Sequence, residues 1–354
     1  MSGPGAVVVG TSFGGRVHVP ALRAAGFTVL ALVGRDAERT RRRADRLEVP
    51  NAMTSLEDAL TLPGVDAVTI ATPPASHCDL AVAAAGAGKH VVCEKPFALD
   101  TRQAAAMLDA AEAAGVTHLV GHEFRWATDR AVAARAIADG AIGEPRLASF
   151  VQWLPLVADP EIKMPTWWFD RGVGGGWLGA SGSHVVDQVR AWLGEIVTVS
   201  ASLPLVSDRA PGAAEDSFVV RLGLASGVEA VLQQTAGAWG PPVSVTRVTG
   251  TRGTVWLEDG VAWVADASGS RQLPVPVDLE LPPAPPESED PRHRFTHLEL
   301  GPYTRLCEVL RAGVDRRPVP TAVPVPTFAD GAACTRALDA IRASAARGGE
   351  VVRL

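Results

Sequence analysis

Short apolar runs separated by amphipathic stretches fill the first third of the chain. "AVVVG" (6–10), "TVLALVG" (28–34), "VDAVTIAT" (65–72), residues 90 to 94 and "THLVGH" (117–122) are continuously apolar or nearly so. Runs of this length read as strands buried on both faces. Helices are predicted between them: from about Gly15 to Ala25, over "DAERTRRRADRL" behind a capping Asp36, over "SLEDAL" behind Ser55, and over 76–88 and 101–115. The alternation predicts a parallel sheet covered by helices on both faces, in the order of a doubly wound dinucleotide fold.

After residue 123 the pattern changes. One more helix, about 128–139, stops at the Gly/Pro signal "DGAIGEP". Apolar and polar residues then alternate in "VTVSASL", "VEAVLQ" and "SVTRVTG", and "RLASFVQW", "DSFVVRL", "GTVWLED" and "VAWVAD" complete a set of strands. One buried and one exposed face per strand predicts a mostly antiparallel sheet. A helix sits at 183–193, and Pro274 to Pro291, with seven prolines, reads as an extended surface loop. The closing "TFADGAACTRALDAIRASAARG" reads as an amphipathic helix. The fold class is therefore α/β, with a Rossmann domain at 1–123 followed by an α+β domain at 124–354.

Bulk properties agree and narrow the function. A chain of 354 residues exceeds one compact core, so two domains are expected. A net charge of −6 implies no basic face, which argues against nucleic acid and membrane partners. Cys78, Cys93, Cys307 and Cys334 make no CxxC pair. That argues against a metal site or a disulfide framework and fits a reducing, cytoplasmic setting. The opening "MSGPGAVVVG" does not read as a signal peptide.

"VVVGTSFGGRVHVPAL" joins the first strand to the first helix, the context of a pyrophosphate site on a helix N-terminus. Gly10, Ser12 and Gly15 fall on the GxGxxG template, with Phe13 and Gly14 between, and Ser12 replaces the middle glycine. An acid that reads the ribose 2′-hydroxyl of NAD belongs at the end of the second strand. Gly34 stands there, followed by Arg35. An uncharged slot beside an arginine suits a 2′-phosphate, so NADP is preferred, with NAD still possible. Arg39 and Arg41 to Arg43 read as a solvated helix face.

"VVCEKPFALD" ends a buried strand in Glu94-Lys95-Pro96. Carboxyl ends of parallel strands face the ligand crevice. Lys95 there can bond a substrate oxygen and move a proton, and Glu94 can accept from a ribose hydroxyl. Taken in order, "GTSFGGRVHVPAL", "ATPPASH", "GKHVVCEKP", "EFRW" and "GGGWLGASGSHVVD" resemble the glucose–fructose oxidoreductase, inositol dehydrogenase and MocA (Gfo/Idh/MocA) family over nearly the whole chain. The resemblance implies hydride transfer between NAD(P) and a sugar, polyol, cyclitol or related hydroxyl or ketone compound. It implies a homodimer or homotetramer assembled through the C-terminal sheet. It makes Lys95 the catalytic lysine and puts Glu94, Thr72, Pro73 and His77 at the cofactor, with Phe124 and Arg125 near the nicotinamide.

The family's second segment, roughly GGGxLxDxGxHxxD, is "GGGWLGASGSHVVD" here. His184 is kept as the second catalytic residue and Asp187 as its neighbour on the helix, while Ala180 replaces the first aspartate. Ser181 and Ser183 are candidates to fill in for it. Among the aromatic residues of these segments, Trp126 and Trp168 are candidate substrate contacts, and Arg171 a candidate anion contact. Tyr303, the only tyrosine, receives no role. Two other functions fit the same sequence: a retained cofactor serving redox-assisted elimination or glycoside cleavage, and a nucleotide-binding sensor without catalysis.

Overall fold

The computed structural model describes residues 3–162, 164–210, 212–288, 290, 293–319 and 321–354. By internal contacts the chain forms two units. The first comprises Met1–Ala127 and Leu281–Ala332, the second Thr128–Glu280 and Ala333–Leu354.

The first unit contains β1 (Gly5–Val9), α1 (Val19–Ala24), β2 (Thr28–Val33), α2 (Ala37–Arg46), β3 (Asn51–Met53), α3 (Leu56–Leu60), β4 (Val65–Ile70), α4 (His77–Gly86), β5 (His90–Cys93), α5 (Thr101–Ala114) and β6 (His118–Val120). Its six strands lie in the order β3-β2-β1-β4-β5-β6, all parallel. The order reverses between β1 and β4, where such sheets open their ligand crevice. Val7 and Val9 of β1 pack with Val33, Val68, Ile70, Val91 and Cys93 in one apolar core. The helix starts follow the sequence: Asp36 accepts from Arg39 N, Ser55 from Asp58 N and Asp100 from Gln103 N.

The second unit begins with α6 (Thr128–Ala138), β7 (Pro145–Trp153), α7 (Ser183–Leu193), β8 (Ile196–Ser202), β9 (Ser217–Leu224), β10 (Glu229–Thr235), β11 (Val243–Gly250), β12 (Thr254–Glu258), β13 (Val261–Asp266) and β14 (Gly269–Gln272). A nine-stranded sheet runs β14-β13-β12-β11-β7-β10-β9-β8-β15, with β15 at Val352–Arg353. Among the described residues of this sheet, only the β10–β7 pair is parallel. The alternating pattern holds: Ala230, Leu232 and Gln234 of β10 point inward, and Glu229, Val231 and Gln233 outward.

Two helices complete the chain, α8 (Thr296–Val314) and α9 (Phe328–Ala346). α8 belongs to the first unit and packs on α1, β5 and β6. A division at 123/124 does not anticipate this return of residues 281–332, because the sequence around "LGPYTRL" carries a proline, Pro302, that reads as a helix breaker. The proline-rich segment is extended apart from a short turn at Val277–Leu279; Glu289 and Pro291 lie outside the described residues.

Candidate functional site

The glycine loop follows β1 directly. Gly10 has a φ of +109°, and a Cβ there would overlap the carbonyl oxygen of Ala71 at the end of β4. Only glycine lets the two strand ends come together at the crevice. Gly14 is also enclosed: an added Cβ would lie 2.8 Å from Val8 Cγ1. Ser12 is exposed, which explains why a side chain is tolerated at the template's middle position. A wide π-helical turn, Gly14–His18, then leads into α1. This cradle fits a dinucleotide pyrophosphate, and residues 10–15 could hold it through their backbone.

The adenosine end of the crevice differs from the expectation at one residue. Gly34 is hemmed in, since a Cβ would lie 2.5 Å from both Thr11 Cγ2 and Thr40 Oγ1. Asp36 is occupied as the helix cap, and Arg35 is exposed. Arg43 does not lie on a solvated face. It is half-buried, and its Nη1 donates to Thr11 Oγ1 at 2.6 Å.

At the other end, β5 runs into Glu94 and Lys95. Glu94 is 5% exposed and packs under Gly121, whose added Cβ would lie 2.5 Å from Glu94 Oε1. His18 Nε2 sits 3.3 Å from that oxygen, and Lys95 N donates to Glu94 Oε2 at 3.2 Å. Burial acts to raise the Glu94 pKa. His18 and the positive charge of Lys95 outweigh it and hold the carboxyl below its ordinary value. Lys95 itself is half-buried, and its peptide bond to Pro96 is cis.

Around this corner the structure gathers groups that the sequence leaves without roles. His18 stacks on Tyr303 of α8 with ring centres 4.4 Å apart, and Phe13 meets both rings edge-on. Burial, then the charge of Glu94, pushes the Tyr303 hydroxyl well above its usual value. Glu123, just past β6, is buried and is also pushed well above the carboxylate range, first by burial and then by Glu94. Its Oε2 makes no hydrogen bond. Arg16 lies over Phe13 and pairs with Glu299 of α8.

Three of the expected contact residues bond other groups of the protein. The resemblance puts His77 against the cofactor; its ring is fully buried, with Nε2 2.8 Å from Thr72 O and Nδ1 3.1 Å from Pro96 O. It ties the Thr72-Pro73 turn to the Lys95-Pro96 turn, and burial lowers its basicity against those carbonyls. Arg125 is held by Asp330 at 3.0 Å and by Pro324 O at 3.1 Å. Trp126 is buried, and its Nε1 donates to Thr321 Oγ1 at 3.3 Å.

In the second unit, Gly175 and Gly176 are required by close packing. Gly176 has a φ of +106°, and a Cβ on it would overlap Glu215 Oε1. A second π-helical turn, Leu178–Gly182, leads into α7, whose second residue is the half-buried His184. Asp187 is buried on the same helix. Ser183 is spent on the preceding π-helical turn, donating to Gly179 O at 2.7 Å. Ser181, next to Ala180, donates to Gln234 Oε1 at 2.8 Å and lies 3.4 Å from Gln152 Oε1. Gln152 and Gln234 are paired across β7 and β10. Trp168 is half-buried between Trp167 and Trp177, and Arg171 is exposed, with Nε 3.9 Å from Glu215. Burial raises the Glu215 carboxyl.

Comparison with known proteins follows the same division. Residues 5–122 match the model described as oxidoreductase family, NAD-binding Rossmann fold, and residues 131–256 match the Gfo/Idh/MocA C-terminal domain. The chain is 31% identical over 240 residues to levoglucosan dehydrogenase of Pseudarthrobacter phenanthrenivorans, covering 60% of each chain. It is 30% identical over 274 residues to 1,5-anhydro-D-fructose reductase of Ensifer adhaerens, covering 74% of this chain and 80% of that one. The solved structure of levoglucosan dehydrogenase with NADH and levoglucosan superposes with a TM-score of 0.86 at 25% identity, over 99% of both chains. With both domain models matched in order along one continuous likeness, the chain belongs to the Gfo/Idh/MocA family of oxidoreductases and carries its NAD-binding Rossmann fold.

Proposed function

We propose that the chain is an NADP-preferring dehydrogenase or reductase of a sugar or anhydro-sugar hydroxyl, in which Lys95 and His184 handle the substrate oxygen. The observation that carries this reading is the Lys95 corner. A half-buried lysine stands at the carboxyl end of β5, beside a buried glutamate held in its charged form by His18 and Lys95. Bound nicotinamide supplies or accepts the hydride. Lys95 takes the hydroxyl proton during oxidation and returns it during reduction, and His184 holds the same oxygen. Glu94 orients Lys95 through its main-chain N–H. The glycine loop, the Thr72-Pro73 turn and the Gly34-Arg35 edge hold the cofactor. Relatives that act on levoglucosan and 1,5-anhydro-D-fructose support a cyclic, hydroxyl-rich substrate. The neutral Ser181, Gln234 and Gln152 beside Ala180 fit hydroxyl recognition without a carboxylate.

The reading includes assembly of identical chains through the nine-stranded sheet. Register places Val219, Gln233, Val151 and Val245 in one row across its outward face, and Val219 and Val245 are exposed. Mass measured in solution at decreasing concentration tests this, and a monomer throughout overturns it. The activity is tested by screening pyranoses, anhydro-sugars and polyols with NADP⁺ and NAD⁺, following reduced cofactor by absorbance. Turnover with a sugar supports the reading. Product formed without net change in cofactor points to retained-cofactor chemistry instead. Inertness toward every alcohol and the matching ketones, with cofactor bound, overturns it.

A further inference from the structure

The arginines of α2 include one that the doubly wound pattern does not require. Arg43 sits about two turns into α2, yet helical side chains lean back toward the helix N-terminus. That lean carries its guanidinium to the glycine loop, where Nη1 bonds Thr11 Oγ1 at 2.6 Å. Thr11 is also the residue whose Cγ2 closes off Gly34. Thr40 closes the other side and is fixed by its own bond to Asp36 O at 2.6 Å. Gly34, Thr11, Thr40 and the Arg43 head therefore share one patch at the end of β2, where dinucleotide folds read the adenosine ribose.

The chemistry of that patch is one-sided. An acid at position 34, the usual partner of a ribose diol, has no room. Asp36 points its carboxylate at Arg39 N, 2.7 Å away. Arg35 is exposed at the rim, and Arg43 comes from the helix behind. We propose that Arg43 is a specificity-determining residue that binds the 2′-phosphate of NADPH together with Arg35. A guanidinium carries five N–H donors in a planar fork suited to phosphate, and Thr11 takes one of them. Thr11 thus holds the fork beside the ribose position before the cofactor arrives. This rests on the NADP preference proposed above.

Dissociation constants for NADPH and NADH, read from cofactor fluorescence, test both ideas separately in the wild type, Arg43→Gln, Arg43→Lys and Arg35→Gln. The wild type is expected to favour NADPH. Arg43→Gln is expected to weaken NADPH about tenfold or more, with NADH held within about twofold. Arg43→Lys, which keeps the charge and loses the fork, should fall between. A wild type that favours NADPH while Arg43→Gln keeps the same NADPH-to-NADH ratio overturns the role of Arg43 and leaves the NADP preference standing. Equal weakening of both cofactors by Arg43→Gln also overturns it, because the residue then only supports the loop. A wild type that favours NADH overturns the NADP preference and Arg43 with it.

Discussion

The two corners that carry the candidate catalytic residues are built alike and charged differently. Each draws on a glycine-rich turn that winds through a π-helical segment into a helix, Gly14–His18 into α1 and Leu178–Gly182 into α7. Such wide turns recur at functional sites. Around Lys95 the chain buries Glu94, Glu123, His18 and Tyr303 together, and burial, then the charge of Glu94, raises the Glu123 carboxyl. Next to Ala180 the corresponding interactions are made by Ser181, Gln152 and Gln234, a hydroxyl and two amides. On the proposed function, the difference concentrates proton handling in the Rossmann unit and leaves hydroxyl-scale recognition to the sheet unit, where Ala180 stands at the family's first aspartate position.

Mutation can break that contrast, and the largest effect should come from the charged corner. Lys95→Ala is expected to lower turnover about 10²–10⁴-fold with cofactor affinity nearly kept, measured by steady-state kinetics beside fluorescence titration. Turnover that survives would remove Lys95 from the chemistry. His184→Asn should cost less, about 10–10²-fold in kcat/KM, because in the proposed reaction it holds the substrate oxygen while Lys95 moves the proton. A loss as deep as that of Lys95→Ala would erase the asymmetry.

Protonation sharpens the same point. Glu123 is held neutral well above the carboxylate range, so its contribution to stability is complete in acid. That contribution is lost as pH rises through the raised value. Glu123→Gln copies the neutral form. The variant and the wild type should melt together at low pH, and the wild type should fall behind by about 1–3 kcal/mol as pH rises. A gap that does not depend on pH contradicts a protonated Glu123. The smallest effect belongs to the neutral corner. Ser181→Ala should cost about 1 kcal/mol, by the same amount at every pH, in thermal melts across the same range.

Local signals made most of the first unit legible. Continuous apolar runs located β1, β2, β4 and β5, and Asp36 and Ser55 cap the helices they were placed before. α8 was not legible, because Gly301-Pro302 obeys the local rule for a break while packing overrides it. The helix buries Tyr303, Leu306 and Leu310 against elements almost 300 residues earlier in the chain. Arg43 was hidden for a related reason, since a basic run looks the same whether or not one member turns inward. Trp126 is ambiguous in the sequence because a tryptophan beside a motif reads alike as core or as pocket wall. Gln234 was within reach: it shares the inward parity of Ala230 and Leu232, and an amide in that register signals a polar task.

The return of α8 to the first unit bears on how the chain is made. His18 and Tyr303 stack at full burial, so the wall beneath the glycine loop is incomplete until α8 has left the ribosome. Nearly the whole nine-stranded sheet, up to β14, emerges before that helix. The Rossmann strands come first from the exit tunnel, yet the unit they belong to is finished late. Ribosome-bound chains halted before Thr296 should therefore bind the dinucleotide poorly, however much of the parallel sheet has formed.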